Sequence, residues 1–164
     1  MENSKCLIEV VNLTRIYGSG DSAVLALDKI NLKIFEGDFI AIMGASGSGK
    51  STFMNILGTL DVPTSGQYFF NNINVANMDD DERSQIRSKY IGFVFQSFNL
   101  VKTLNAVENV ELPLFYLKDF NKKNKKNENY RIKRKYIREK AISLLKEVGL
   151  GDRLYHKINQ LSGG

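Results

Sequence analysis

Gly44-Ala45-Ser46-Gly47-Ser48-Gly49-Lys50-Ser51 fits the pattern G-x-x-x-x-G-K-[ST] in full. It follows an unbroken apolar run, Phe39-Ile40-Ala41-Ile42-Met43, and precedes Phe53, Ile56, Leu57 and Leu60 at helical spacing, with the turn residues Asp61, Pro63 and Gly66 beyond. The order is therefore strand, glycine loop, helix. An apolar run at every position suits a parallel strand covered on both faces, and residues 50–60 read as the helix. Glycines let a backbone wrap closely around a phosphate chain, and the following helix presents its positive N-terminal end to it. In that arrangement Lys50 would contact the β- and γ-phosphates and Ser51 would offer its hydroxyl to Mg²⁺ bridging them. The motif itself is shared by ATPases, GTPases, small-molecule kinases and helicases.

Outward from the loop, residues 6–13 (CLIEVVNL) and 30–35 (INLKIF) read as partly exposed antiparallel strands. Residues 67–75 form a hairpin pattern turning at Asn71-Asn72. Asp79 with Glu82 three positions on predicts a capping box opening a helix that runs to about Tyr90. Residues 91–96 (IGFVFQ) read as a second apolar strand, and Asn105 and Glu108 repeat the capping-box spacing. Ile137, Ala141, Leu144, Leu145 and Val148 recur at helical intervals with Gly149 just past them as a cap.

The 164 residues are 43% hydrophobic and 25% charged, the composition of a single globular domain of ordinary size. The apolar run at 39–43 is far short of the roughly 18 residues a membrane helix needs, and the N-terminal MENSK has no apolar signal region. Cytoplasm is the expected compartment. Cys6, the only cysteine, excludes an intrachain disulfide and reads as a bystander thiol. The net charge of +5 is local in origin: residues 118–140 hold eleven Lys/Arg against three Asp/Glu, an excess of eight, which leaves the rest of the chain acidic. Within it, the Asn/Lys-rich stretch 118–135 reads as a solvated loop, since such a composition buries little.

Three further segments carry a family resemblance. Leu161-Ser162-Gly163-Gly164 matches the first four residues of the LSGGQ signature of ABC ATPases, Gln96 matches their Q-loop glutamine, and Tyr17 matches their adenine-stacking aromatic. Together with the glycine loop, and with GASGSGKST, LDVPTSG, IGFVFQSFNL and ENVELPL, these make the chain resemble the lipoprotein-releasing and macrolide-exporting subfamily. Lys102 and Ile158 stand where that subfamily usually has proline, and 118–135 looks like an insertion.

The resemblance implies an α/β fold of the ABC P-loop type. It comprises an antiparallel β subdomain and part of a RecA-like parallel core in residues 1–98, and a helical subdomain in 99–164, with the later core strands lying beyond Gly164. It implies ATP and Mg²⁺ as cofactors, with Gly44, Ala45, Ser46, Gly47, Ser48, Gly49, Lys50, Ser51 and Thr52 on the phosphates and Tyr17 on adenine. Ser162, Gly163 and Gly164 would meet the γ-phosphate held by a second ATPase subunit. Lys50 and Gln96 would serve catalysis, and Ser51 and Gln96 the metal. The implied partners are that second subunit and a transmembrane permease, which alone would hold the protein at the cytoplasmic face of the plasma membrane. The Walker B aspartate and catalytic glutamate of the family would lie downstream, so this stretch by itself is expected to hydrolyse ATP poorly or not at all. His156 precedes the signature and reads as a surface or helix-end residue rather than the family's switch histidine.

Two other classes stand beside this reading. One is a nucleic-acid-associated ABC ATPase using the basic segment, against which that segment lacks interleaved stacking aromatics apart from Tyr130, Tyr136 and Phe120; no nucleic-acid partner is expected. The other is a non-catalytic regulator that pairs with full-length cassettes.

Overall fold

The computed structural model describes residues 5–115 and 128–161. The chain divides into two compact units, Met1–Phe93 and Val94–Gly164.

The first unit is built on a four-stranded antiparallel sheet in the order β2-β1-β3-β4. β1 (Cys6–Tyr17) and β2 (Val24–Phe35) are twelve residues each, longer than the sequence pattern suggests, and pair from Cys6↔Phe35 to Tyr17↔Val24. The extra length hides in bulges. Val10 and Leu13, both buried, are three apart and would face opposite sides of a regular strand. The register shifts between them, with Asn12 at φ 48°, and returns both to the core. β3 (Ser65–Phe70) and β4 (Ile73–Asn74) close the expected hairpin, where Asn71 and Asn72 both take positive φ, as a two-residue turn between twisted strands requires.

Helix α1 (Lys50–Leu57) lays Phe53 and Ile56 on this sheet, in a core with Leu27, Tyr68, Phe70 and Val75. The Tyr68 hydroxyl donates to Leu57 O at 2.7 Å, and burial pushes its phenol pKa upward. α1 stops three residues before the periodicity suggests. Thr59 takes φ 57°, its N–H bonds Ile56 O and that of Leu60 bonds Asn55 O, which is a Schellman ending with threonine at the position glycine usually takes. α2 (Asp80–Tyr90) opens with the reciprocal Asp79–Glu82 capping box, and buries Ile86.

The two apolar runs read as parallel core strands do not form strands. Residues 39–43 and 91–96 take part in no β-ladder among the described residues; Phe39 is 99% exposed and Val94 102%. A ladder needs partner strands to satisfy its N–H and C=O groups, and the sheet of the described residues, β2-β1-β3-β4, includes neither run. Hydrophobicity is a local property; strand pairing is not.

In the second unit, α3 (Ala106–Phe115) and α4 (Glu128–Glu147) pack through Ala106, Val107, Ala141 and Leu145. Asn105 and Glu108 make their reciprocal cap at 2.9 Å each way. Gly149, at φ 77°, ends α4 in a second Schellman turn. Because α4 begins at Glu128, residues 128–135 are helical rather than loop, their charges being tolerable on a solvated helix as well; 118–127 fall outside the described residues.

Candidate functional site

The glycine loop leads straight into the N-terminus of α1, with Gly49 as the cap residue in left-handed conformation at φ 86°. A side chain there would meet Ala26 O at 2.3 Å and Leu27 Cδ2 at 3.0 Å, so the loop lies against β2 at a distance only glycine permits. Gly47 is also left-handed, at φ 79°, but open space surrounds it. The Lys50 ammonium folds back over the loop, donating to Gly44 O at 2.9 Å, Ala45 O at 2.5 Å and Ser48 Oγ at 3.4 Å. The loop carbonyls thus hold a cation directly above the backbone of the motif. The first turn of α1 carries no acidic residue, so its free N–H groups and positive end face no carboxylate of their own. Ser51 is exposed and Thr52 half-buried in that turn. Glycine-permitted close approach, a cation and a helix N-terminus are the donor set a polyphosphate needs, and the hydroxyl of Ser51 suits a hard divalent cation beside it.

Tyr17 ends β1 opposite Val24 of β2, while Gly49 abuts Ala26 two residues further along the same strand, so β2 brings the two predicted features together. Tyr17 is 38% exposed. Its hydroxyl donates to Asp61 Oδ2 at 2.7 Å, the Arg15 guanidinium lies 4.5 Å from its ring centroid, and Arg15 Nη2 meets Asp61 Oδ1 at 2.7 Å. Arg15 and Asp61 were not legible as partners of Tyr17. The signal available was slight: a basic residue two before the tyrosine, hence on the same strand face, and an aspartate in the turn after α1.

Gln96 lies in an exposed turn near the start of the second unit. Ser162, Gly163 and Gly164 fall outside the described residues. The segment ahead of them is anchored: Ala106 N–H donates to His156 O at 3.0 Å, Val107 N–H to Leu154 O at 3.1 Å, and Asn105 bridges Lys157. His156 is exposed and contributes its carbonyl here. The side chain of Asn109 accepts from Val101 N–H at 2.8 Å and donates to the carbonyls of Val101, Leu104 and Asn105, fixing the stretch before α3. Cys6 is half-buried, its thiol donating to Ile8 O.

A family model described as ABC transporter matches residues 27–164. The chain is 47% identical over 158 residues to an uncharacterised ABC transporter ATP-binding protein, MJ1508, of Methanocaldococcus jannaschii, covering 96% of this chain and 65% of that protein. It is 46% identical over 158 residues to the macrolide export ATP-binding/permease protein MacB of Hyphomonas neptunium, covering 96% of this chain and 22% of that one. Among solved structures it is similar to the ATP-binding cassette MJ0796, captured as a dimer in a post-hydrolysis state with ADP and Pi, with a TM-score of 0.77 and 43% identity over 95% of this chain and 63% of that one. The chain spans less than two thirds of the length of each.

Proposed function

The chain belongs to the ABC transporter family, among its ATP-binding cassettes, and on that premise we propose that it binds Mg-ATP through residues 44–52 and powers transport by a membrane permease. The observation that carries this reading is the Lys50 ammonium held over the loop by the carbonyls of Gly44 and Ala45. Triphosphate oxygens are stronger acceptors for an ammonium than neutral carbonyls, so Lys50 would exchange the latter for the former on binding. The N–H groups at the start of α1 would take the remaining phosphate charge. Ser51 would hold Mg²⁺, and Gln96 is proposed as a further ligand on the family resemblance alone; the metal, when bound, neutralises charge on the β- and γ-phosphates. Tyr17 would stack on the adenine.

Two cassettes are proposed to close head to tail, each supplying its segment 162–164 to the other's nucleotide. The dimeric cassette with ADP and Pi supports this for a relative. The relatives that join ATPase and permease in one protein support a permease as partner, here for export or lipoprotein release. No described helix is long and apolar enough to cross a membrane; we place the protein at the cytoplasmic face of the membrane, where a permease partner would hold it. Residues 1–164 hold no candidate for the family's catalytic glutamate, so we propose that hydrolysis in the full-length protein depends on residues outside them.

Substituting Lys50→Ala in the full-length protein is expected to abolish tight Mg-ATP binding or turnover. ATPase activity equal to that of the unsubstituted protein would sink the assignment.

A further inference from the structure

An aromatic ring recognises a purine well only when its plane is fixed before the base arrives, because ordering a free side chain on binding weakens the complex. Tyr17 sits at the very end of β1 and is 38% exposed, a position at which a side chain would ordinarily swing. It is held instead by two residues. Arg15, two positions earlier on the same strand face, places its guanidinium 4.5 Å from the ring centroid. Asp61 uses both oxygens, one accepting the Tyr17 hydroxyl and the other facing Arg15 Nη2, each at 2.7 Å. The triangle is closed: the bond to Asp61 fixes where the hydroxyl end of the ring lies, and the Arg15 guanidinium against one face opposes turning of the ring plane about that axis.

Asp61 is itself well placed. Its N–H bonds Asn55 O in the turn that ends α1, and its carboxylate also accepts from Val62 N–H at 2.7 Å. Three residues on, Thr64 latches the same segment to β1, with Ile16 N–H donating to its hydroxyl at 2.9 Å and its own N–H donating to Thr14 O at 2.8 Å. The clamp on Tyr17 therefore follows directly from the helix that opens with the phosphate loop. A cation against one ring face also draws π density toward itself, which favours stacking of an electron-rich purine on the opposite face.

We propose that Asp61 and Arg15 are positioning residues for nucleobase recognition, orienting Tyr17 so that binding of ATP exceeds binding of its phosphates alone. This rests on the adenine-stacking role proposed for Tyr17. The test compares Mg-ATP with Mg-triphosphate as probes on the full-length protein, in Tyr17→Ala, Tyr17→Phe, Asp61→Ala and Arg15→Met variants. Asp61→Ala is expected to weaken ATP roughly three- to tenfold, the scale of one side chain left to be ordered, with triphosphate affinity unchanged and the loss appearing in KM rather than kcat. Tyr17→Phe, which removes only the hydroxyl tie, should give part of that loss, and none further when combined with Asp61→Ala.

If Tyr17→Ala lowers ATP affinity selectively while Asp61→Ala and Arg15→Met do not, the clamp is refuted and stacking stands. If Tyr17→Ala has no selective effect, stacking fails and the clamp with it. Equal loss of ATP and triphosphate in Asp61→Ala would mean a merely structural role and would also overturn the proposal. Should Asp61→Ala not fold, Tyr17→Phe and Arg15→Met decide by the same ratio.

Discussion

Gly49→Ala tests the claim that the phosphate loop depends on its contact with β2. The substitution adds one methyl group in two unfavourable ways. Gly49 has φ 86°, and an L residue held in left-handed conformation costs about 1–2 kcal/mol. The new Cβ would also lie 2.3 Å from Ala26 O, roughly an ångström inside ordinary contact, and overpacking of this kind costs typically about 1–3 kcal/mol. Ala26 is backbone of the extra residue in a bulge, between the pairs Arg15↔Leu27 and Ile16↔Leu25, so relief requires moving a strand rather than turning a side chain. The combined cost, about 2–5 kcal/mol, corresponds to roughly 5–15 °C in melting temperature for a domain of this size. Gly47→Ala is the control, with φ 79° but no atom within 4 Å, and it should lose only the conformational part, about 1–2 kcal/mol. Melting curves of both variants in the full-length protein, with and without Mg-ATP, measure the difference. Equal destabilisation by the two, or an unshifted melting point in Gly49→Ala, would refute the steric reasoning.

Deleting residues 118–127 from the full-length protein is expected to change melting temperature and ATP turnover little, because an Asn/Lys-rich stretch buries little apolar surface; a drop of more than a few degrees would show that it packs. Asn109→Ala should cost about 1 kcal/mol, the net worth of a hydrogen bond to partly exposed backbone, with faster amide exchange at Val101, whose N–H loses its acceptor; unchanged exchange there would contradict the assigned role. The 164-residue chain expressed by itself should self-associate and fail to melt in one sharp transition, since Phe39, Met43 and Val94 are 99%, 88% and 102% exposed. A monomer with a single cooperative transition raised by Mg-ATP would overturn that expectation.

What the amino-acid sequence determined by itself is what short-range physics determines. Asp79–Glu82 and Asn105–Glu108 cap helices because a carboxylate or amide reaches a backbone N–H three residues away whatever the rest of the chain does. The Asn71-Asn72 turn and the Gly149 cap follow from residues that tolerate positive φ. The glycine-lysine motif marked the loop and the helix after it, and the set of motifs marked the family. Only the tertiary structure decided which residues meet across the chain. Residues 39–43 have the composition of a buried strand, yet strand character resides in partners that composition cannot supply. Gly49 must be glycine because of a carbonyl 23 positions earlier, and Tyr17 is oriented by an aspartate 44 positions later. Such contacts leave no periodic trace in the sequence, because they depend on where separately formed elements come to rest against each other.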